Sequence, residues 1–95
     1  MQKMKTLIDK AAEVCGTQQL LAVHLGVHKS QLSEMKRGVR HISPELAILI
    51  ADVASQNVAD AALSAIIENG RDTPRGVRVQ EVLGKAMINQ MLENN

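Results

Sequence analysis

The segment Leu21–Gly38 contains the residues whose types and spacing could do chemistry. Its sequence is LAVHLGVHKSQLSEMKRG, with His24 and His28 four residues apart. Two histidines at that spacing on one continuous helix could bind a metal ion. Gly26 lies between them and favours a turn, which would place the two histidines on different helices. The segment therefore predicts no metal site, and no other cofactor is expected.

Composition narrows the class of protein. The chain has 95 residues, 45% hydrophobic and 22% charged, which suits one small folded domain. It contains no Phe, Trp or Tyr, so it lacks the aromatic side chains on which unpaired bases stack. Its one cysteine cannot form an internal disulfide, and no apolar run is long enough to span a membrane. These features predict a cytoplasmic protein with no membrane partner, and no catalytic arrangement indicates an enzyme.

Charge is unevenly distributed along the chain, although the total is only +1. Residues 24–41 carry four Lys or Arg and one Glu, a net charge of +3. Residues 44–70 carry four acidic residues and no Lys or Arg, a net charge of −4. A basic surface and an acidic surface within one small domain allow local attraction to phosphate despite the low total charge.

Apolar residues recur at helical spacing, and no stretch alternates with the period of a strand. The pattern predicts five helices between residues 4 and 69, with Thr17, Ser43 and Asn57 as N-caps of the second, fourth and fifth. The residues expected to face inward on the fourth and fifth helices are Leu46, Leu49, Ile50, Val53, Ala59, Ala62, Leu63, Ile66 and Ile67. Residues 69–76 predict a linker, and a sixth, amphipathic helix is expected over about 74–92.

The second and third helices would cross steeply, with the small side chain of Ala22 at the closest approach and Gly26 in the turn. From Gln18 to Arg37 this segment resembles the helix-turn-helix of the lambda repressor and Cro family. The positions that agree are Leu21, Ala22, Leu25, Gly26, Val27, Leu32, Met35 and Gly38. The resemblance implies an all-α fold: a five-helix, lambda-repressor-like DNA-binding domain over residues 1–70, with an appended linker and C-terminal helix over 71–95.

The resemblance also implies which residues meet DNA. In the family, the residues that match Lys29, Ser30, Ser33 and Glu34 face the bases in the major groove, and the residue that matches Gln18 touches phosphate. Basic residues at the end of the third helix suit further phosphate contacts. The expected DNA-binding residues are Gln18, His28, Lys29, Ser30, Gln31, Ser33, Glu34, Lys36, Arg37 and Arg40.

The expected partner is a double-stranded DNA operator, bound by a homo-oligomer, either a dimer or a tetramer. An amphipathic helix appended to a complete domain needs a surface to cover it, and a second copy would supply one. The residues expected in that interface are Val79, Val82, Leu83, Ala86, Met87 and Met91. The leading functional hypothesis is a phage-type transcriptional repressor.

Two alternatives stay open. The segment KSQLSEMKRG at 29–38 is similar to the recognition helix of CII-type activators of phage lambda. That resemblance implies a tetramer on direct repeats and RNA polymerase as a further partner. The other alternative is an antitoxin or adaptor that acts mainly through protein contacts of its C-terminal helix.

Overall fold

A computed structural model describes the backbone of residues 2–93 and the side chains of residues 4–90, 92 and 93. Within that range helices are the only regular secondary structure and no strand is present, so the expected all-α class is confirmed. The helices are α1 (Gln2–Cys15), α2 (Gln18–Leu25), α3 (Lys29–Lys36), α4 (Pro44–Val53), α5 (Val58–Asn69) and α6 (Pro74–Glu93).

The three predicted N-caps begin their helices as expected. Thr17, Ser43 and Asn57 each accept a hydrogen bond from the backbone N–H three residues later, at 3.1, 3.2 and 2.8 Å. These bonds satisfy amides that lack a partner in the first turn of a helix. Pro44 then occupies the first turn of α4, where its missing N–H costs nothing. Local sequence therefore fixes where α2, α4 and α5 begin.

The core lies where α1 crosses α2, α3 and α4. The large, fully buried side chains there come from four different helices: Met4, Ile8, Leu21, Leu32 and Ile50. Burying a side chain of this size stabilises the fold by roughly 1.5–3 kcal/mol. Helix α3 is thus packed against the core by one side, and its opposite side faces away from the core.

The expected inner face of α4 is partly wrong. Leu49 is 49% exposed, whereas Ala47 and Ala51 are fully buried. The same shift occurs on α5, where Ala59 is exposed and Ala61 and Ala65 are buried. Small side chains let packed helix axes approach closely, and both α4 and α5 bury alanines.

The expected linker at 69–76 is also wrong in its bounds. Helix α5 continues to Asn69, and α6 begins at Pro74, so only residues 70–73 connect them. Thr73 accepts a hydrogen bond from the N–H of Gly76 at 2.9 Å and caps α6 in the same way as Ser43 caps α4. Among the helices described, α6 contacts α5 alone. Between residues 2 and 93 no helix is both long and apolar enough to cross a membrane.

Candidate nucleic-acid interface

The turn between α2 and α3 has the geometry that the sequence predicts. Gly26 adopts a left-handed conformation (φ 73°, ψ 28°), which disfavours residues with a Cβ. Its N–H donates to the carbonyl of Val23 at 3.1 Å, and the N–H of Val27 donates to that of Ala22 at 3.0 Å. Ala22 is only 2% exposed. The predicted turn geometry of Gly26 is confirmed, whereas the contact of Ala22 with α3 stays a prediction.

This turn also separates the two histidines. His24 lies in the last turn of α2, and His28 is the N-cap of α3; both are exposed. No cluster of three or more His, Cys, Asp or Glu residues in the part of the chain that is described could hold a metal ion. The segment is therefore organised around its turn rather than around its histidines.

The first turn of α3 is closed by Gln31. The backbone N–H of His28 donates to Oε1 of Gln31 at 2.9 Å, which is half of a capping box. Gln31 is half-buried and lies on the edge of the helix. Of the predicted DNA-binding residues, Gln31 thus has a structural function in fixing where α3 begins.

The two sides of α3 differ sharply in character. Leu32 and Met35 are 0% and 3% exposed and attach the helix to the core. At about 100° per residue, five polar side chains fall within an arc of roughly 140° on the opposite side. We call this arc the recognition face; its members are Lys29, Ser30, Ser33, Glu34 and Arg37. The structure therefore brings all four residues predicted to face bases onto one side of α3, where Lys29 and Ser30 are exposed and Ser33 and Glu34 are half-buried.

An ion pair occupies one edge of the recognition face. Nε of Arg40, in the loop after α3, lies 2.8 Å from Oε2 of Glu34, and the two side chains are 45% and 35% exposed. The pair offsets the one negative charge on a surface that is otherwise neutral or positive. Arg40 engages Oε2 alone, so Oε1 of Glu34 can still accept a hydrogen bond from a cytosine amine.

Lys36 borders the recognition face, about 20° around the helix from Lys29, but it has a partner within the protein. Its Nζ is 2.6 Å from Oδ1 of Asp9, so the side chain ties α3 to α1. Nothing in the sequence identifies Asp9 as its partner, because the two residues are 27 positions apart and belong to different helices. Lys36 therefore positions α3, and its predicted phosphate contact remains a prediction.

Two cations on the recognition face have no competing partner in the part of the chain that is described. Lys29 and Arg37 are exposed, and neither has a side-chain hydrogen bond or ion pair with the side chains that the structure describes. Gln18 opens α2, at the end of that helix opposite the turn at Gly26, and is half-buried. Unpaired, exposed cations next to small hydroxyl side chains form a surface suited to an anionic, hydrogen-bonding partner such as duplex DNA.

Two short helices joined by a glycine turn, with the second helix presenting polar side chains outward, define a helix-turn-helix DNA-binding domain. Residues 8–54 match the family model described as Helix-turn-helix. Over this segment the chain carries a helix-turn-helix domain of the lambda repressor and Cro type, which supports a DNA-binding transcription regulator. Neither the curated proteins nor the solved structures gave a match.

The residues predicted to form an oligomer lie on α6, outside the matched segment. Val79, Val82 and Met87 are 37%, 65% and 46% exposed, Ala86 is exposed, and Leu83 is half-buried. The side chain of Met91 lies outside the described residues. At about 100° per residue, the five described members span an arc of roughly 140°, with Val82 and Met87 at its two edges. Their assignment to an interface stays a prediction.

Proposed function

We propose that this regulator inserts α3 into the major groove of an operator and acts as a repressor dimer. The observation that carries the proposal is the recognition face itself, which is polar throughout, is exposed at Lys29, Ser30 and Arg37, and lies opposite the two core residues of α3. A helix of this kind fits the major groove, where each base pair presents a distinct pattern of donors and acceptors. In this proposal the acidic surface of α4 and α5 faces away from the DNA phosphates.

The individual side chains suit either base contacts or phosphate contacts. Lys29 can donate to O6 and N7 of guanine, and the hydroxyls of Ser30 and Ser33 can donate to or accept from several base edges. Arg37 and Arg40, at the end of α3, suit phosphate contacts that fix the register without adding sequence information. The N–H groups that open α2 at Gln18 suit a phosphate as well, because the positive end of the helix dipole lies there.

A dimer follows from the length of DNA that must be recognised. One helix meets only a few base pairs, whereas two copies place their recognition helices in successive major grooves about 34 Å apart. The operator would then be a repeat of two half-sites. Occupancy of such a site over a promoter blocks RNA polymerase, which is the basis of the proposed repression.

Selection of bound sequences from random DNA duplexes tests this proposal. Enrichment of two half-sites separated by about one helical turn is the expected result. Failure to enrich any duplex over several rounds would contradict DNA recognition and favour the protein-interaction alternative.

A footprint on the natural promoter then determines the sign of regulation. Protection that overlaps the promoter elements and lowers transcription supports repression. Protection beside the elements with increased transcription supports the activator and contradicts the repressor.

A further inference from the structure

One exposed face of α6 has the spacing of a coiled-coil seam. Six side chains follow one another at intervals of four, three, four, three and four residues, the spacing that keeps positions a and d on one side of a helix. We call this set the α6 seam: Arg75, Val79, Val82, Ala86, Asn89 and Glu93. All six are exposed, so the domain to which they belong leaves the seam uncovered.

The α6 seam is separate from the side of α6 that packs on α5. Gly76 and Leu83 are half-buried, and they mark the packed side. A groove of about 490 Å³ runs along the N-terminal half of the seam. Its lining combines seam and flanking residues: Pro74, Arg75, Arg78, Val79, Val82 and Leu83. The groove can therefore accept a second helix without disturbing the contact between α5 and α6.

The seam is complementary to itself only when a second copy runs antiparallel. Reversing the helix about its middle, at position 84, places Val82 opposite Ala86, Val79 opposite Asn89, and Arg75 opposite Glu93. The ends of the seam then form opposite-charge pairs. Neither Arg75 nor Glu93 has an ion-pair partner among the described residues of its own chain. A parallel arrangement would instead place arginine against arginine and glutamate against glutamate.

We propose that α6 pairs antiparallel with α6 of a second copy, along the α6 seam, and that Arg75–Glu93 ion pairs at both ends fix this orientation. The proposal rests on the proposed dimeric regulator and specifies its interface. Valine against alanine at the centre allows close approach of the helix axes. Met87 and Met91, expected from the sequence to take part, lie off the seam.

Charge reversal in the full chain tests the orientation, with dimerisation measured by sedimentation in the absence of DNA. Arg75→Glu places glutamate against glutamate at both ends of an antiparallel pair, so we expect the dimer to weaken about tenfold. Glu93→Arg should weaken it to a similar degree. The double variant Arg75→Glu/Glu93→Arg restores both pairs, so its dimerisation should return to that of the unaltered chain.

Glu81→Arg provides the matched control, because this residue lies on α6 about 110° from the seam. It should leave dimerisation unchanged, and circular dichroism should show unaltered helicity in every variant. Single reversals that leave the dimer intact, a double variant no better than the singles, or a chain that stays monomeric would each overturn the pairing. Sequence selection by α3 is a separate measurement, so failure of the pairing and failure of DNA recognition are distinguishable.

Discussion

Two glycines on α6 should respond in opposite ways to the same substitution. Gly76 stands in the first turn of α6 and meets backbone: a Cβ there would overlap the carbonyl of Gly70. In the reverse direction, a Cβ on Gly70 would lie 2.7 Å from Cα of Gly76. Gly84 stands in the middle of the same helix, and a Cβ there would meet nothing within 4 Å. We therefore expect Gly76→Ala to destabilise the junction between α5 and α6, where Gly70 and Gly76 meet, and Gly84→Ala to stabilise α6.

The magnitudes follow from these environments. Glycine in a helix interior costs about 1 kcal/mol relative to alanine, so Gly84→Ala should raise the free energy of unfolding by up to that amount. Gly76→Ala gains less of this term in the first turn, and it forces two backbones apart. Overpacking of this kind typically costs about 1–3 kcal/mol. The net expectation for Gly76→Ala is therefore a loss of roughly 1–2 kcal/mol.

Hydrogen exchange of the α6 amides is the appropriate assay, together with unfolding in urea. Because α6 packs on α5 alone, weakening of the α5–α6 junction should speed hydrogen exchange along α6 and leave the amides of α1 to α4 protected. Gly84→Ala should slow exchange in α6. Equal stabilisation by both substitutions would refute the close approach of Gly70 and Gly76.

Three further predictions concern the recognition helix. Gly26→Ala should lower the free energy of unfolding by about 1–2 kcal/mol in a urea titration because of its left-handed backbone, and Gly26→Asn should cost less; equal costs would contradict that cause. Glu34→Gln should release Arg40 and raise the affinity for unrelated duplexes in a binding titration, and unchanged affinity would contradict a screening function for the pair. Arg37→Ala should reduce the salt slope of DNA binding by about one, whereas Lys36→Ala should leave it nearly unchanged; the reverse order would place the phosphate contact at Lys36.

The sequence predicted helix ends better than helix faces. Caps such as Ser43 and Asn57 are local devices, so a few adjacent residues suffice to locate them. The inner face of α4 depends on which neighbour comes closest, and PELAILIADV is apolar on several sides. Leu49 was expected inside because of its size, but the structure buries the small side chains of Ala47 and Ala51 and leaves Leu49 49% exposed.

The recognition face was predictable because, like the caps, it depends on residues that are close together in the sequence. The spacing of Leu32 and Met35 fixes the buried side of α3, and the polar residues must then lie opposite. The ion pairs of this region were not predictable from the sequence. Lys36 on α3 pairs with Asp9 on α1, and Arg40 pairs with Glu34 only because the loop after α3 turns back toward that helix. Partners of long charged side chains depend on tertiary geometry rather than on spacing.

We propose above all that α3 recognises DNA bases through Lys29 and Ser30. Its most direct test is the affinity of the Lys29→Ala/Ser30→Ala variant for the selected operator at fixed salt. Each well-made base contact contributes about 1–3 kcal/mol, so loss of both should weaken operator binding on the order of a hundredfold or more.

The matched control is Lys10→Ala, an exposed lysine of α1 that lies beside Gln56 and Asn57, away from α3. We expect the double variant to bind the operator no better than an unrelated duplex while keeping its helicity, and the control to retain full affinity. Unchanged operator affinity in the folded double variant would contradict the assignment of α3 as the recognition helix.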